Sequence, residues 1–314
     1  MTGRTELLLL MRSLRLAGVA LAAALAACTP RVPPPDLSLE PAALLGQVEA
    51  AAWVTHVQGD ARLRLEAPGA KGVVTAWVAA ARPDRLHVEA LDFFGNPAAT
   101  LVSAGGRLAI YDARTRTFYT GAASAANVAR LVPLPLPPER LVALLCGAPA
   151  LSGAPIAAEP GRGYVALELR DGPRVTSVRV GRRAAVLQAT YRGGAPGLVD
   201  HEVRYGGFME LERGRFPAEV VVTSGDPDVR VELEWKEPDL TSVPEATLFR
   251  MAPPAGARVV DLDASPEPAL PPPLQPLAPE AGQGRPSGRR AAGRRRRPGV
   301  TLRRPPWKRA SSAS

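Results

Sequence analysis

The sequence has little of the chemistry that enzymes use. Only two cysteines and three histidines occur in 314 residues, and His56, His87 and His201 lie far apart. None of the histidines has the spacing of a metal-ligand set. The motifs of serine hydrolases, zinc proteases, phosphate-binding loops and dinucleotide-binding folds are also missing. The sequence therefore predicts a protein that is not an enzyme and that uses no metal and no catalytic residue.

The amino terminus lacks an apolar run of transmembrane length. The apolar stretch of residues 16–27 has 12 residues, fewer than the roughly 20 that a spanning helix needs. It follows Arg12 and Arg15 and ends in Ala26-Ala27 before Cys28, which is the layout of a secretory signal peptide. A cysteine at this place resembles the signal of a bacterial lipoprotein. The alternatives are an ordinary signal with an incidental cysteine and a true start at Met11.

The lipoprotein resemblance implies covalent diacylglycerol on Cys28 and an acyl chain on its new amino group. Residues 1–27 are then the signal peptide and residues 28–37 a lipidated tether. Two or more acyl chains give stable membrane anchoring. Thr29 stands where Asp holds many lipoproteins in the inner membrane. We therefore expect a protein anchored to the outer membrane and facing the periplasm. A lipidated Cys28 leaves Cys146 without a disulfide partner, and the apolar sequence around Cys146 favours burial.

The net positive charge of the chain comes from its carboxyl terminus. The formal net charge is +9, and residues 281–314 alone contribute +11 because they contain no acidic residue. Residues 264–314 are Pro-rich and then Arg-rich, so we predict a disordered tail. Export makes nucleic acid an improbable partner. The segment from Arg285 to Arg309 either binds lipopolysaccharide or another anionic lipid, or is a solvated appendage without a partner.

Between the signal and the tail, the hydrophobic period indicates a mostly β domain over residues 38–263. Residues 38–52 have a helical period with Ser38 as a candidate cap. Residues 53–119 and 163–236 alternate apolar and polar residues in about a dozen short strands, and residues 124–131 and 137–146 are helical. A large antiparallel sheet curls or closes. We therefore predict an α+β monomer in which one strongly bent antiparallel sheet wraps around helices.

The clearest local feature of the sequence is a pair of apolar residues at a predicted turn. Phe93 and Phe94 occupy the place of a hairpin turn, between Asp92 and Gly95, where polar residues are usual. Either the two rings fold back into the core, or they form an aromatic tip that enters a bilayer.

Several motifs, in order, resemble the LolB family of outer-membrane receptors, which take lipoproteins from the periplasmic carrier LolA. The similarity covers roughly residues 45–260. It rests on Arg85-Leu86, Asp92-Phe93-Phe94-Gly95, Phe118-Tyr119, Leu136-Pro137, Gly147-Ala148-Pro149, Tyr205-Gly206-Gly207-Phe208 and Pro217-Ala218-Glu219-Val220. The chain departs from the family at Leu144, where Trp is frequent, and in its Arg-rich tail. A sister group of LolA-like lipoproteins of unassigned role shares the fold.

The resemblance implies an unclosed β-barrel of about eleven strands, capped by helices over an apolar cavity for acyl chains. It places Phe94 at the membrane-inserting position of the family, and it implies the partners of that family: lipoprotein acyl chains, a LolA-like periplasmic carrier and outer-membrane lipid. The positions that alternate inward predict the cavity lining, although a register slip of one residue would reverse the strand positions. They are Leu86, Val88, Leu101, Ile110, Leu141, Leu144 and Leu145. The alternative is a structural envelope lipoprotein with a filled core, whose Arg-rich tail docks on anionic envelope components.

Overall fold

The computed structural model describes residues 32–68, 70–130, 136–193, 200–225 and 228–264. The signal segment, Cys28 and residues 265–314 of the tail lie outside these ranges, so the expectations for them remain predictions. The described ranges contain three α-helices and fourteen strands. The helices are α1 (Pro41–Ala51), α2 (Ala125–Ala129) and α3 (Pro138–Leu145). The strands are β1 (His56–Ala67), β2 (Ala70–Ala81), β3 (Arg85–Leu91), β4 (Pro97–Ala104), β5 (Arg107–Asp112), β6 (Thr117–Ala122), β7 (Ala154–Pro160), β8 (Val165–Asp171), β9 (Arg174–Val180), β10 (Val186–Arg192), β11 (His201–Leu211), β12 (Gly214–Gly225), β13 (Asp228–Trp235) and β14 (Arg258–Asp261).

All fourteen strands belong to one open sheet in the order β14-β6-β5-β4-β3-β2-β1-β13-β12-β11-β10-β9-β8-β7. Neighbouring strands are antiparallel, except that β14 runs parallel to β6. The short connections follow from the alternating sequence, since each strand turns back beside its predecessor through a few turn residues. The predicted fold class, a mostly β protein with one unclosed antiparallel sheet around helices, is confirmed.

The expected strand number of about eleven is wrong. Strand β7 has two prolines in the sequence APIAAEP, and prolines within strands are most readily accommodated at sheet edges, which is where β7 lies. Strand β14 has four residues and joins the opposite edge. Neither segment has a clear period of two, so the alternation did not reveal them.

Helix α1 begins later than the sequence indicated. Its first residue is Pro41, and the side chain of Glu40 accepts hydrogen bonds from the backbone amides of Ala42 and Ala43. The proposed cap, Ser38, instead accepts a hydrogen bond from the Glu40 amide at 3.0 Å. A carboxylate at this end also interacts favourably with the helix dipole. None of the helices in the described ranges is long and apolar enough to cross a membrane.

Helix α3 ends at a glycine that the packing requires. The Gly147 amide donates to the carbonyl of Leu144 at 3.0 Å, and the Ala148 amide donates to the carbonyl of Ala143 at 3.1 Å. This arrangement needs a residue with positive φ after the helix, and Gly147 has a φ of 74°. A Cβ atom at Gly147 would lie 2.6 Å from the Cδ atom of Pro217. The turn therefore holds the end of α3 tightly against β12.

The inner face of the sheet packs differently along its length. Under β8 to β11, buried side chains such as Leu167, Leu169 and Tyr205 form one cluster with Leu44 and Val48 of α1. Under β1 to β3 and β13, a second cluster includes Val142 and Cys146 at α3. On the outer face of β2 and β4, Phe249 covers Ala79 and Val102. The sheet thus has one half that packs against α1 and a second half that is covered by α3.

Candidate functional site

Helix α3 and the inner face of the sheet enclose an apolar cavity with a volume of about 160 Å³. One wall comes from β1 to β5, a second from β12 and β13, and the cover from α2 and α3. The lining consists of Leu63, Arg64, Val78, Leu86, Val88, Ala90, Ala99, Thr100, Leu101, Ile110, Val128, Leu141, Leu144, Leu145, Val220, Val222, Val231 and Leu233.

The structure brings all seven of the expected lining residues to this one cavity: Leu86, Val88, Leu101, Ile110, Leu141, Leu144 and Leu145. The sequence did not single out the wall from β12 and β13, or Leu63 and Val78. Those residues also alternate along their strands, and the alternation alone does not tell a cavity wall from an ordinary core. The pairing of β1 with β13 places the second wall opposite β3 and β4.

The chemistry of the cavity favours an apolar ligand. Arg64 and Thr100 are the only residues of the lining that are not aliphatic. Hydrogen bonds, ion pairs and metal coordination therefore contribute little inside it. Transfer of apolar surface from water into such a space is favourable by about 25 cal/mol per Å². The cavity has the character of a site for hydrocarbon.

The cavity is small in this conformation. Its volume of about 160 Å³ is close to the roughly 150 Å³ of a cavity that takes one benzene molecule, and below the roughly 300–1,000 Å³ of common ligand pockets. Leu141 and Leu145 of α3 are only partly buried. Helix α3 has eight residues and covers the space on this side.

Cys146 directly follows α3, and its surroundings do not favour a reactive thiol. The side chain is buried, with 2% of its surface exposed. Burial raises the pKa of the Cys146 thiol to about 11, and the nearby Arg82 guanidinium opposes this only in part. At neutral pH the group is therefore a neutral thiol, and thiolates are the reactive form. The expectation of a small buried hydrophobe agrees with this environment.

The hairpin between β3 and β4 holds both phenylalanines in solvent. Phe93 is 93% exposed and Phe94 is 81% exposed, and their rings contact each other edge to face with centroids 5.6 Å apart. The Asp92 carboxylate accepts hydrogen bonds at 2.8 Å from the amides of Phe94 and Asn96. These bonds lower the pKa of Asp92. A charged, anchored aspartate thus fixes the turn that presents the two rings.

The aromatic tip and the cavity share the same two strands. Ala90 of β3 pairs with Ala99 of β4, and both line the cavity. Asp92, which begins the turn, lies two residues beyond Ala90. The apolar lining therefore extends to the base of the hairpin that carries Phe93 and Phe94. The geometry places an exposed apolar tip next to one end of an apolar cavity.

The histidines take structural positions. The His87 Nδ1 atom lies 2.6 Å from the carbonyl oxygen of Leu248. This contact ties the segment that contains Leu248 to β3. His201 stacks on Tyr191 with centroids 4.4 Å apart. In the ranges that the structure describes, no group of histidine, cysteine, aspartate and glutamate has the geometry of a metal site.

Comparisons with known proteins give similarity at the level of the fold. No protein-family model matches the sequence, and the search of curated proteins found no match. Similar solved structures include a LolA superfamily protein from Nitrosomonas europaea, with 12% identity, a TM-score of 0.47, and coverage of 66% of this chain and 97% of that chain. They also include a domain assigned to outer membrane lipoprotein sorting from Vibrio parahaemolyticus, with 9% identity, a TM-score of 0.48, and coverage of 66% and 94%. At these values the neighbours do not assign a function to this chain.

Proposed function

We propose that this protein is a lipid-anchored envelope protein that binds acyl chains of lipoproteins and helps to insert them into the outer membrane. The observation that carries the proposal is the continuity between the aliphatic cavity and the exposed Phe93-Phe94 tip, both built on β3 and β4. An apolar site for hydrocarbon and an apolar contact for a bilayer are the two surfaces that such a transfer requires.

Binding in the cavity needs no covalent chemistry. Each methylene group that leaves water contributes about 0.8 kcal/mol, so part of one acyl chain suffices for measurable affinity. The chain enters as α3 moves away from the walls at Leu86 and Val220. The partly buried Leu141 and Leu145 of α3 then contact the ligand. The opening costs packing energy, which keeps the affinity moderate and makes release possible.

Release needs the bilayer to bind the acyl chain more strongly than the cavity does. The Phe93-Phe94 tip brings the two sites together, because aromatic side chains on an apolar surface enter the boundary between headgroups and acyl chains. A LolA-like periplasmic carrier is the proposed donor of the lipoprotein, and outer-membrane lipid is the acceptor. We assign the positioning of the protein at that membrane to the lipid on Cys28.

The test of this proposal is the transfer of an acylated lipoprotein from the loaded protein to liposomes. Phe94→Glu places a charge at a position that is 81% exposed, so it leaves folding intact while making entry into the bilayer costly. We expect transfer to fall at least about tenfold, since 1.4 kcal/mol corresponds to that factor.

The control is Val243→Glu, which introduces the same charge at another exposed apolar residue, 68% exposed and outside the hairpin. Transfer by this variant should match that of the natural protein. Unchanged transfer by Phe94→Glu would remove the tip from the mechanism.

A further inference from the structure

Two arginines converge on one tyrosine away from the apolar cavity. The guanidinium carbon of Arg174 lies 5.4 Å from the centroid of the Tyr191 ring, and that of Arg140 lies 6.0 Å from it. Arg174 begins β9, Tyr191 lies near the end of β10, and Arg140 lies on α3. The Tyr191 hydroxyl donates to the carbonyl of Ala150 at 3.1 Å, which fixes the ring. Aromatic faces hold guanidinium groups through cation–π attraction.

Neither arginine has a hydrogen-bond acceptor or an ion-pair partner among the described residues. Arg174 is 8% exposed, and its Nε atom is buried with no partner in those ranges. A guanidinium group has five N–H donors, and buried polar groups are almost always satisfied. The buried Nε–H group of Arg174 is therefore free to donate a hydrogen bond to an acceptor that binds beside Tyr191.

The charges of the two arginines favour the binding of an anion between them. Burial lowers the pKa of Arg174, and the positive charge of Arg140 lowers it further. Asp171 and Asp200 attract the Arg174 guanidinium, but neither forms a salt bridge with it in the described residues. Two like charges held near one ring repel each other unless a negative group lies between them.

The arginine pair lies at the same end of the sheet as the aromatic tip. Strand β3 runs toward the Phe93-Phe94 turn, and its neighbours alternate in direction across the antiparallel order from β2 to β9. Strands β3, β1, β12 and β10 therefore end at this side, while β11 and β9 begin there. This places Arg174 and Tyr191 at the end of the sheet that approaches the membrane in the proposed function. The most abundant anion at a bilayer surface is the phosphate group of phospholipids.

We propose that Arg140 and Arg174, held on Tyr191, form a binding site for a phosphate group, which a membrane phospholipid supplies. The inference deepens the proposed function and rests on it for the identity of the donor, but the phosphate site itself depends only on the local geometry. Guanidinium groups bind phosphate oxygens in a bidentate manner, which suits a rigid pair better than a single surface lysine. Arg140 adjoins Leu141, a cavity-lining residue on the same helix. Phosphate binding thus involves the helix that covers the cavity.

The first arm of the test uses inorganic phosphate as the probe. The full-length protein is unfolded by heat in phosphate and in chloride at equal ionic strength. The same measurement is made on Arg140→Gln, Arg174→Gln and the double variant. Phosphate also stabilises proteins generally by exclusion from their surface, so the readout is the difference between the natural protein and each variant. We expect the natural protein to gain the larger increase in Tm, because ligand binding to the folded state stabilises it.

The second arm uses vesicles of phosphatidylcholine with added phosphatidylglycerol, compared with vesicles that carry the same negative charge as fatty acid. We expect the double variant to bind the phosphatidylglycerol vesicles about thirtyfold more weakly than the natural protein, given about 1 kcal/mol for each of the two arginines at a charged surface. The matched control is Arg179→Gln, since Arg179 also lies over a tyrosine ring, Tyr164, at 5.1 Å, but on an exposed position of the same strand. It should change neither readout.

The outcomes separate the phosphate site from the acyl-binding proposal. A response in both arms supports a phospholipid headgroup, and a response to inorganic phosphate alone keeps the site but assigns it to free phosphate. Equal behaviour of the natural protein and the arginine variants in both arms overturns the inference. Arg140→Gln changes a partly exposed residue, so it reports even if Arg174→Gln does not fold. Binding of a fatty alcohol, which has no phosphate, is measured on the same proteins. If the natural protein does not bind the fatty alcohol, the acyl-binding proposal is contradicted, whereas the phosphate site is not.

Discussion

The two halves of the sheet have the same alternating sequence and different interiors. Under β8 to β11, Leu167, Leu169 and Val178 belong to one buried cluster with side chains of α1 and with Tyr191 and Tyr205. Under β1 to β5, inward side chains of the same size border a cavity beneath α3. The difference lies in what each half has to pack against. The side chains of α1 and the two tyrosines fill one half, whereas the short helices α2 and α3 cover the other incompletely.

The comparison indicates that the filled half of the sheet contributes mainly to stability and that the cavity half is available for binding. In the filled half, Leu167, Leu169 and Val178 are at most 1% exposed, and truncation of such side chains is costly. The cavity half leaves apolar surface without full contact, and that surface is available to a ligand. The same type of substitution should therefore have different effects on stability and on ligand binding in the two halves.

The largest difference is expected for truncated leucines. Leu167→Ala in the filled half removes a side chain that is 1% exposed and should cost about 2–5 kcal/mol of unfolding free energy. Leu101→Ala in the cavity half removes a partly exposed side chain and should cost less than about 2 kcal/mol, because the site already borders empty space. Urea unfolding of both variants measures the difference. Equal losses would show that the cavity half is as well packed as the other.

A matched pair of enlarged alanines sharpens the comparison toward binding. Ala90→Leu fills part of the cavity, so we expect it to reduce the binding of an acylated ligand by about tenfold or more while the protein stays folded. Ala189→Leu introduces the same side chain at a fully buried position of the filled half and should cost about 1–3 kcal/mol through overpacking. Calorimetric titration and thermal unfolding of both variants provide the readouts. If Ala90→Leu bound the ligand normally, the cavity would not be the acyl site.

The smallest effect concerns the thiol below α3. Burial raises the pKa of Cys146 to about 11 from an ordinary value of 9.0. The folded state therefore holds the proton more tightly than the unfolded state, so this contribution to stability is complete below pH 9 and is lost as the pH rises through 11. At pH 8 we expect iodoacetamide to modify Cys146 very slowly in the free protein and faster when an acylated ligand displaces α3. Fast modification without ligand would show that α3 is already open.

The sequence predicted the strands and helices that have a regular period. The alternation of β8 and β9 appears in the structure as alternately buried and exposed side chains, and α2 and α3 lie within one or two residues of their expected bounds. The edge strands β7 and β14 were missed, because a short or Pro-containing edge strand has no period of its own. The place of β7 at a sheet edge and the parallel pairing of distant residues such as Arg258 and Thr117 are tertiary features.

The candidate site was predicted in part. The seven expected residues line one cavity. Val220, Val222 and Leu233 were not expected there, since inward aliphatic residues on a strand fit a filled core equally well. The choice between exposed and buried rings at Phe93 and Phe94 also stayed open until the turn was seen, because it depends on the hydrogen bonds of Asp92. The arginine pair on Tyr191 arises from three separate elements and has no local signature.

The central claim is that the cavity half binds hydrocarbon. The most direct measurement is native mass spectrometry of the purified protein with an acylated lipopeptide, and with the same peptide after removal of its acyl chains. We predict a complex of one protein with one acylated lipopeptide, absent for the deacylated peptide and weakened by Ala90→Leu but not by Arg179→Gln. Binding that does not depend on the acyl chains, or that Ala90→Leu leaves unchanged, would contradict the claim.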